Sequence, residues 1–173
     1  VGIETKQIYK KAIGLSLRNI SATLWINGKK GISEFGEAEF TEYGLDGPII
    51  LRLSRITIES LISGKKVEIS LDLKPALDDQ KLESRLQRDI IELGNKDFKS
   101  LLKQLLPSQL IDVFSEVLNI NQSKPLKQLN SVEKKKLIAL LKDFRFEITS
   151  YRGWNEAIVT AGGISIKEIK PKT

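Results

Sequence analysis

The sequence predicts an α+β fold, a β-rich lobe of bent strands interrupted by an inserted bundle of about four helices. Three observations carry this. Leu15–Ile26 and Val67–Leu73 alternate apolar and polar residues with the period of two that a half-buried strand requires. Leu82, Leu86, Ile90 and Leu93 recur at helical spacing instead. Alternation then returns at Phe144, Phe146 and Ile148. The expected division is therefore a discontinuous β-rich lobe, residues 1–74 and 144–173, around a helical lobe, residues 75–143.

The elements follow in order. Leu15 and Leu17 have one parity, while Ile20, Ala22, Leu24 and Ile26 have the other. The switch at Arg18-Asn19 predicts a bulge in one long strand. Asn27-Gly28 is a hairpin signal, and Ile32–Thr41 is the returning strand. Trp25 and Phe35 read as core residues of this lobe. Gly47-Pro48 opens a helix with Pro at its favoured first position, running toward Leu61, and Asp46 is a candidate cap. The strand Val67–Leu73 follows.

In the helical zone the Leu82–Leu93 stripe ends at Gly94. Asn95 is a candidate cap for a short helix bearing Phe98, Leu101, Leu102 and Leu105. Pro107 starts the next, with Leu110, Phe114, Val117 and Leu118 inward. Asn130 and Glu133 have capping-box spacing, ahead of Leu137, Ile138, Leu140 and Leu141. A loop from Asn119 to Leu129, containing Pro125, joins the last two helices. Val67–Leu73 and Phe144–Thr149 are expected to lie together, so that the helices leave the β lobe and come back to it.

Composition bounds the chemistry. The 173 residues contain no cysteine and no histidine. Disulfides and thiolate chemistry are excluded, and the commonest general base and metal ligand are missing. No metal site is expected, and no residue stands out as catalytic. No apolar run approaches the roughly 18 residues of a membrane helix, and residues 1–11 lack a signal-type hydrophobic core. A cytoplasmic protein with no membrane partner is the expectation. The net charge is +6, which suits an acidic ligand. The lysines, however, come as scattered pairs flanking turns, with acids interleaved. That distribution argues against nucleic acid as a partner, and leaves a basic binding module for RNA or another polyanion as the rival reading.

Two glycine-bearing segments carry the functional signal. In Phe40–Pro48, FTEYGLDGP, Gly44 and Gly47 permit a close backbone approach or φ > 0. The helix start there offers free N–H groups to an anion or polarised carbonyl. Val159–Gly163, VTAGG, places a glycine pair after a short apolar run. Tyr151-Arg152-Gly153-Trp154 combines an arginine with aromatic rings, a set that binds anionic or planar ligands but more often forms a packed turn. Neither a GxGxxG nor a GxxxxGK[ST] phosphate cradle occurs.

Four motifs in fixed order, GLSLRNIS (14–21), EFGEAEFTEYGLDGPIILRLS (34–54), LPSQL (106–110) and VTAGGISIKEIKPKT (159–173), resemble the bacterial BaiN-like flavoproteins. These are the NAD(FAD)-utilising dehydrogenases that include aminoacetone-oxidase-like enzymes. The resemblance covers essentially the whole chain. It implies the large insert of a Rossmann-like FAD domain: a β-rich lobe and a helical lobe that cover the flavin face and shape the substrate site. FAD is then expected in the full-length protein and none in this segment. The partners implied are the FAD-binding domain of the same longer chain and a small-molecule substrate. The absence of methionine and of a dinucleotide fingerprint agrees with a piece of a larger enzyme. The resemblance puts Thr160, Gly162 and Gly163 near the isoalloxazine. It puts Phe40, Thr41, Glu42, Tyr43, Gly44, Asp46, Gly47 and Pro48 at the domain junction or substrate wall. The family commonly has His where this chain has Glu42 and Ser where it has Asp46, so any role for an imidazole at position 42 is lost.

Overall fold

The computed structural model describes residues 1–157, leaving aside the side chain of Trp154. Among them six antiparallel strands close into a barrel in the order β1-β4-β3-β2-β5-β6. The strands are β1 (Ile3–Thr5), β2 (Ser16–Ile26), β3 (Lys29–Phe40), β4 (Gly44–Asp46), β5 (Val67–Asp72) and β6 (Phe144–Tyr151). Helix α1 (Pro48–Ile62) lies between β4 and β5. Helices α2 (Asp79–Leu93), α3 (Phe98–Leu105), α4 (Ser108–Leu118) and α5 (Ser131–Lys142) all fall between β5 and β6. The fold is α+β.

The bulge and the hairpin form where the sequence puts them. Register against β3 shifts between Leu17 and Ile20, where Arg18 and Asn19 are both exposed and Asn19 adopts φ 55°. The extra residue returns Ile20, Ala22 and Leu24 to the barrel interior. Asn27 and Gly28 take φ 49° and 75°, the double left-handed turn whose twist matches the flanking strands. Asn27 is further fixed by its Oδ1, which accepts from Lys66 N at 2.9 Å. Strands β5 and β6 pair directly, with Ile69 opposite Phe146 and Leu71 opposite Phe144.

Several sequence expectations are corrected. Phe35 is not core. It is 59% exposed, because the β3 positions that turn inward are Ala38 and Phe40. Trp25 is half-buried on the outside, donating from Nε1 to Ser70 Oγ at 2.9 Å under the Arg145 guanidinium, 4.0 Å from its ring centre. Asp97, not Asn95, caps α3, its Oδ1 accepting from Ser100 N at 2.9 Å. Pro107 is the cap residue before α4 rather than its first turn. Val117 is 46% exposed, while Ile111 and Val113 join Leu110 and Phe114 inside. The Asn130–Glu133 capping box forms in full, with both reciprocal bonds present.

One apolar core runs from the barrel into the helices. Phe144 links them. Its ring meets Phe114 of α4 at 5.3 Å, Phe146 at 4.7 Å, Tyr9 at 5.3 Å and Phe40 at 6.4 Å. Phe114, Phe144 and Phe146 are almost wholly buried, and each is worth about 1.5–3 kcal/mol of burial. A polar staple lies beside this contact. Lys142 Nζ reaches Asp72 Oδ2 at 2.6 Å and donates to the carbonyls of Leu77 at 2.7 Å and Lys74 at 3.1 Å. The lysine thereby ties the end of α5 to the segment that leaves β5.

Candidate functional site

The segment 40–48 forms a corner against the first strand. Gly44 adopts φ 146°, and a Cβ there would lie 2.5 Å from the Ile3 carbonyl oxygen and 2.7 Å from Thr5 N. Only glycine lets β4 run this close to β1. The preceding turn is closed by two bonds, Gly44 N to Thr41 Oγ1 at 3.1 Å and Thr41 N to Gly44 O at 2.9 Å. Thr5 N donates to Tyr43 O at 3.0 Å.

Asp46 holds the corner rather than capping α1. Its Oδ1 accepts from Gly47 N at 2.7 Å, and its Oδ2 accepts from the Tyr43 hydroxyl at 2.6 Å. The residue before the helix is Gly47, and no side chain caps α1. The sequence reading of Asp46 as helix cap is thus replaced. With its oxygen turned toward a phenol across the corner, it stabilises the turn and not the helix. Burial, followed by the bond to Asp46, pushes the Tyr43 phenol up to about 12. Tyr43 is therefore a neutral hydrogen-bond donor at physiological pH, not a phenolate base.

The two ends of the described chain meet this corner. Arg152 N donates to Gly2 O at 3.0 Å, and the Arg152 guanidinium lies 4.7 Å from the centre of the Tyr43 ring. That guanidinium also forms a two-point pair with Glu156 and approaches Glu4 Oε1 at 3.8 Å. Its own pKa is raised and that of Glu156 lowered, in both cases first by their mutual hydrogen bonds. Gly2 is pressed between Tyr43 and Asp46, since a Cβ there would come within 2.7 Å of the ring and 2.8 Å of Asp46 Oδ2. Arg152 is thus engaged by two carboxylates and a ring, and is not a free anion-binding group.

The expected site residues distribute as follows. Phe40 is 3% exposed and belongs to the aromatic core. Thr41, Tyr43, Gly44, Asp46 and Gly47 build the corner, while Glu42 and Pro48 project to its outside. Thr160, Gly162 and Gly163 lie outside the described residues. Gly2, Glu4 and Glu156 complete the cluster and were not singled out by sequence. The four-residue spacing of Arg152 and Glu156 was the available signal. The crevice against this cluster, lined by Val1, Ile58, Tyr151 and Arg152, has a volume of about 30 Å³, the share of one water. Among the described residues no group of three or more Asp, Glu, His or Cys could hold a metal, and no helix is long and apolar enough to cross a membrane.

Comparison with known proteins gives a consistent assignment. Residues 1–159 match the family described as HI0933-like protein barrel and H2TH domain. The chain is 25% identical over 169 residues to a 3-dehydro-bile acid delta(4,6)-reductase of Clostridium scindens, covering 97% of this chain and 41% of that protein. It is 27% identical over 158 residues to the ribosomal RNA dihydrouridine synthase of Haemophilus influenzae, covering 91% and 37%. It is 31% identical over 134 residues to the Escherichia coli ribosomal RNA dihydrouridine synthase, covering 78% and 31%. The chain spans about two fifths or less of the length of these relatives.

Proposed function

The chain belongs to the HI0933-like barrel and H2TH family, and from that membership we propose that it is the insert of an FAD-dependent oxidoreductase. In this reading it covers the flavin and lines one wall of the substrate pocket, while the flavin-binding domain lies elsewhere in a longer chain. The flavin supplies the redox chemistry, and the insert supplies position and water exclusion. One observation carries the reading. The first and last described residues converge on the Tyr43–Asp46 corner, where a neutral phenol, a carboxylate and an arginine are interlocked. The crevice beside them is far smaller than a flavin ring system, as expected of a wall that another surface must complete. Thr160, Gly162 and Gly163 are proposed to follow directly into the flavin contact.

The test compares two proteins. The full-length protein should carry a yellow chromophore identified as FAD after denaturation. The 173-residue chain alone should show a folded circular dichroism spectrum and no flavin absorption after gel filtration. A flavin retained by the 173-residue chain, or a colourless full-length protein that stays colourless with added FAD, would overturn the proposal.

A second reading concerns the substrate. Two relatives are named for ribosomal RNA, and this chain carries a net charge of +6. RNA is accordingly proposed as the alternative to a small-molecule substrate.

A further inference from the structure

Asn27-Gly28 is the only Asn-Gly pair in the chain, and it stands at the exposed tip of the β2–β3 hairpin. The turn selects these residues for shape, since both take a positive φ, 49° and 75°, and Asn and Gly do so at least cost. The same pair is chemically labile. Once deprotonated, the Gly28 amide nitrogen can attack the Asn27 side-chain carbonyl carbon, and glycine puts no side chain in its way. An N–C bond forms, the side-chain nitrogen takes a proton from water and leaves as ammonia, and a five-membered succinimide results. Water then opens that ring at one carbonyl or the other, giving aspartate or isoaspartate.

Charge and geometry act on this reaction in opposite directions. Lys29 and Lys30 follow the turn, and Lys65 and Lys66 adjoin it where β5 begins. Of these four only Lys66 has an ion-pair partner among the described residues, Glu68 at 3.4 Å. Positive charge favours the deprotonated nitrogen. The folded turn, however, keeps that nitrogen from its target. In the left-handed region ψ is about 47°, which carries the Gly28 nitrogen to the side of the Cα–C bond away from the Asn27 side chain. From there the ring closes only after roughly half a turn about that bond.

Lys66 blocks the rotation by holding Asn27 at two points. Asn27 N donates to Lys66 O at 2.8 Å, and Lys66 N donates to Asn27 Oδ1 at 2.9 Å. The side-chain oxygen stands in for a backbone carbonyl and continues the β2–β5 ladder one step beyond the Ile26–Val67 pair. Backbone and side chain of Asn27 are thus fixed relative to each other, and attack requires that relation to change. Pairing of Ile26 with Lys29 closes the turn from its other flank.

We propose that Asn27 is the deamidation site of this chain, kept silent in the folded state by Lys66 and opened when the β2–β3 tip releases from β5. The two products differ in consequence. Aspartate keeps an acceptor for Lys66 N and brings a negative charge among four lysines. Isoaspartate routes the backbone through the former side chain and adds a methylene to a two-residue turn, which the register of Ile26 with Lys29 and Val67 cannot absorb. The proposal depends on neither the flavin-cap nor the RNA reading.

The experiment incubates the 173-residue chain in mildly alkaline buffer, folded and in guanidinium chloride above the unfolding transition. Tryptic peptides are read by mass spectrometry, with the site in the peptide Asn19–Lys29, and isoaspartate is labelled by an isoaspartyl methyltransferase. The unfolded chain should deamidate faster at Asn27 than at any other asparagine. The folded chain should react there at least about tenfold more slowly, as a tip opening that costs about 1.4 kcal/mol or more requires. Lys66→Pro removes the donor to Oδ1 and should raise the folded rate about fivefold, the population shift set by one hydrogen bond. Asn27→Asp should unfold at the wild-type midpoint, and isoaspartate-bearing wild type below it. Equal rates in the folded and unfolded chain, or an unfolded chain that reacts first at another asparagine, would overturn the proposal. So would an unchanged rate in folded Lys66→Pro, and isoaspartate that leaves the midpoint in place would refute the damage assigned to it. A Lys66→Pro chain that does not fold leaves the decision with the two wild-type rates.

Discussion

The Tyr43 hydroxyl donates to Asp46 Oδ2 at 2.6 Å, across a turn of only two intervening residues. The bond fixes the corner between β4 and α1 from the side chains, where β4 itself is only three residues long. Its carboxylate acceptor is spent on Gly47 N and the phenol together.

Tyr43→Phe should cost about 1 kcal/mol, the usual worth of one such bond. A spectrophotometric titration distinguishes this bond from packing. In wild type one phenol should remain protonated until about pH 12, and that late step should vanish in Tyr43→Phe. The sign is fixed by the raised pKa: the contribution to stability is complete below pH 10 and is lost as pH rises through 12. A variant that keeps the late step would assign it to another tyrosine.

Gly44→Ala should destabilise by about 3 kcal/mol. It combines a left-handed φ with a backbone collision 2.5 Å from the Ile3 carbonyl. Gly64→Ala is the control, because φ is 71° there but nothing lies within 4 Å of the new methyl. Its cost should stay near 1 kcal/mol. Urea midpoints of the two variants measure the difference, and equal midpoints would refute the close-approach argument.

Lys142→Met removes the staple between α5 and the segment after β5. Asp72 loses its cation and two carbonyls lose their donor in a site where Lys142 and Asp72 are only 20% and 22% exposed. A loss of about 2–3 kcal/mol is expected. Lys142→Arg, which keeps the charge but not the compact three-bonded geometry, should recover part of it. Thermal unfolding would read both, and full stability in Lys142→Met would show the staple to be idle.

Acid should weaken the fold below about pH 4. Asp112 is lowered first by its bond to Lys11 and then by Gln122. Glu133 is lowered first by Lys124 and then by Asn130 N. Asp97 is lowered by Ser100, and Asp78 by Lys81. A depressed carboxylate pKa means stability that is complete above the unfolded values of about 4 and is lost as pH falls through the folded ones. Equilibrium unfolding between pH 6 and 2.5 checks this, and Asp112→Asn should flatten the decline. An unchanged midpoint down to pH 3 would contradict it.

The regular elements were legible because each depends on local signals. Period-two alternation gave β2, β5 and β6. Proline and capping chemistry marked α1 and α5, and the parity switch at Arg18-Asn19 located the bulge. What stayed hidden depends on tertiary neighbours. Phe35 and Phe40 stand five residues apart on β3, an odd spacing that puts them on opposite faces, but only the closed barrel shows that the Phe40 face is the inner one. Asp46 sits where a cap would, yet Tyr43 folds back to claim it. Closure of the barrel depends on β1 and β4, each three residues long, too short to show a period. The corner residues around Gly44 were visible as glycine-rich chemistry. Gly2 and Glu4 were not, because only closure brings them beside Arg152.

Strand β3 outruns its short neighbour β4, which pairs with it only at Glu39 and Phe40. Farther along that margin, Arg52 of α1 donates from Nη2 to the Phe35 carbonyl at 2.8 Å and from Nε to Glu34 at 2.6 Å. The helix thus lends a side chain to backbone that would otherwise offer itself to a foreign strand. Ile32 and Phe35 are exposed nearby, so losing the Arg52 side chain would leave an apolar strand margin with a bare carbonyl, the kind of edge that invites pairing with a second chain.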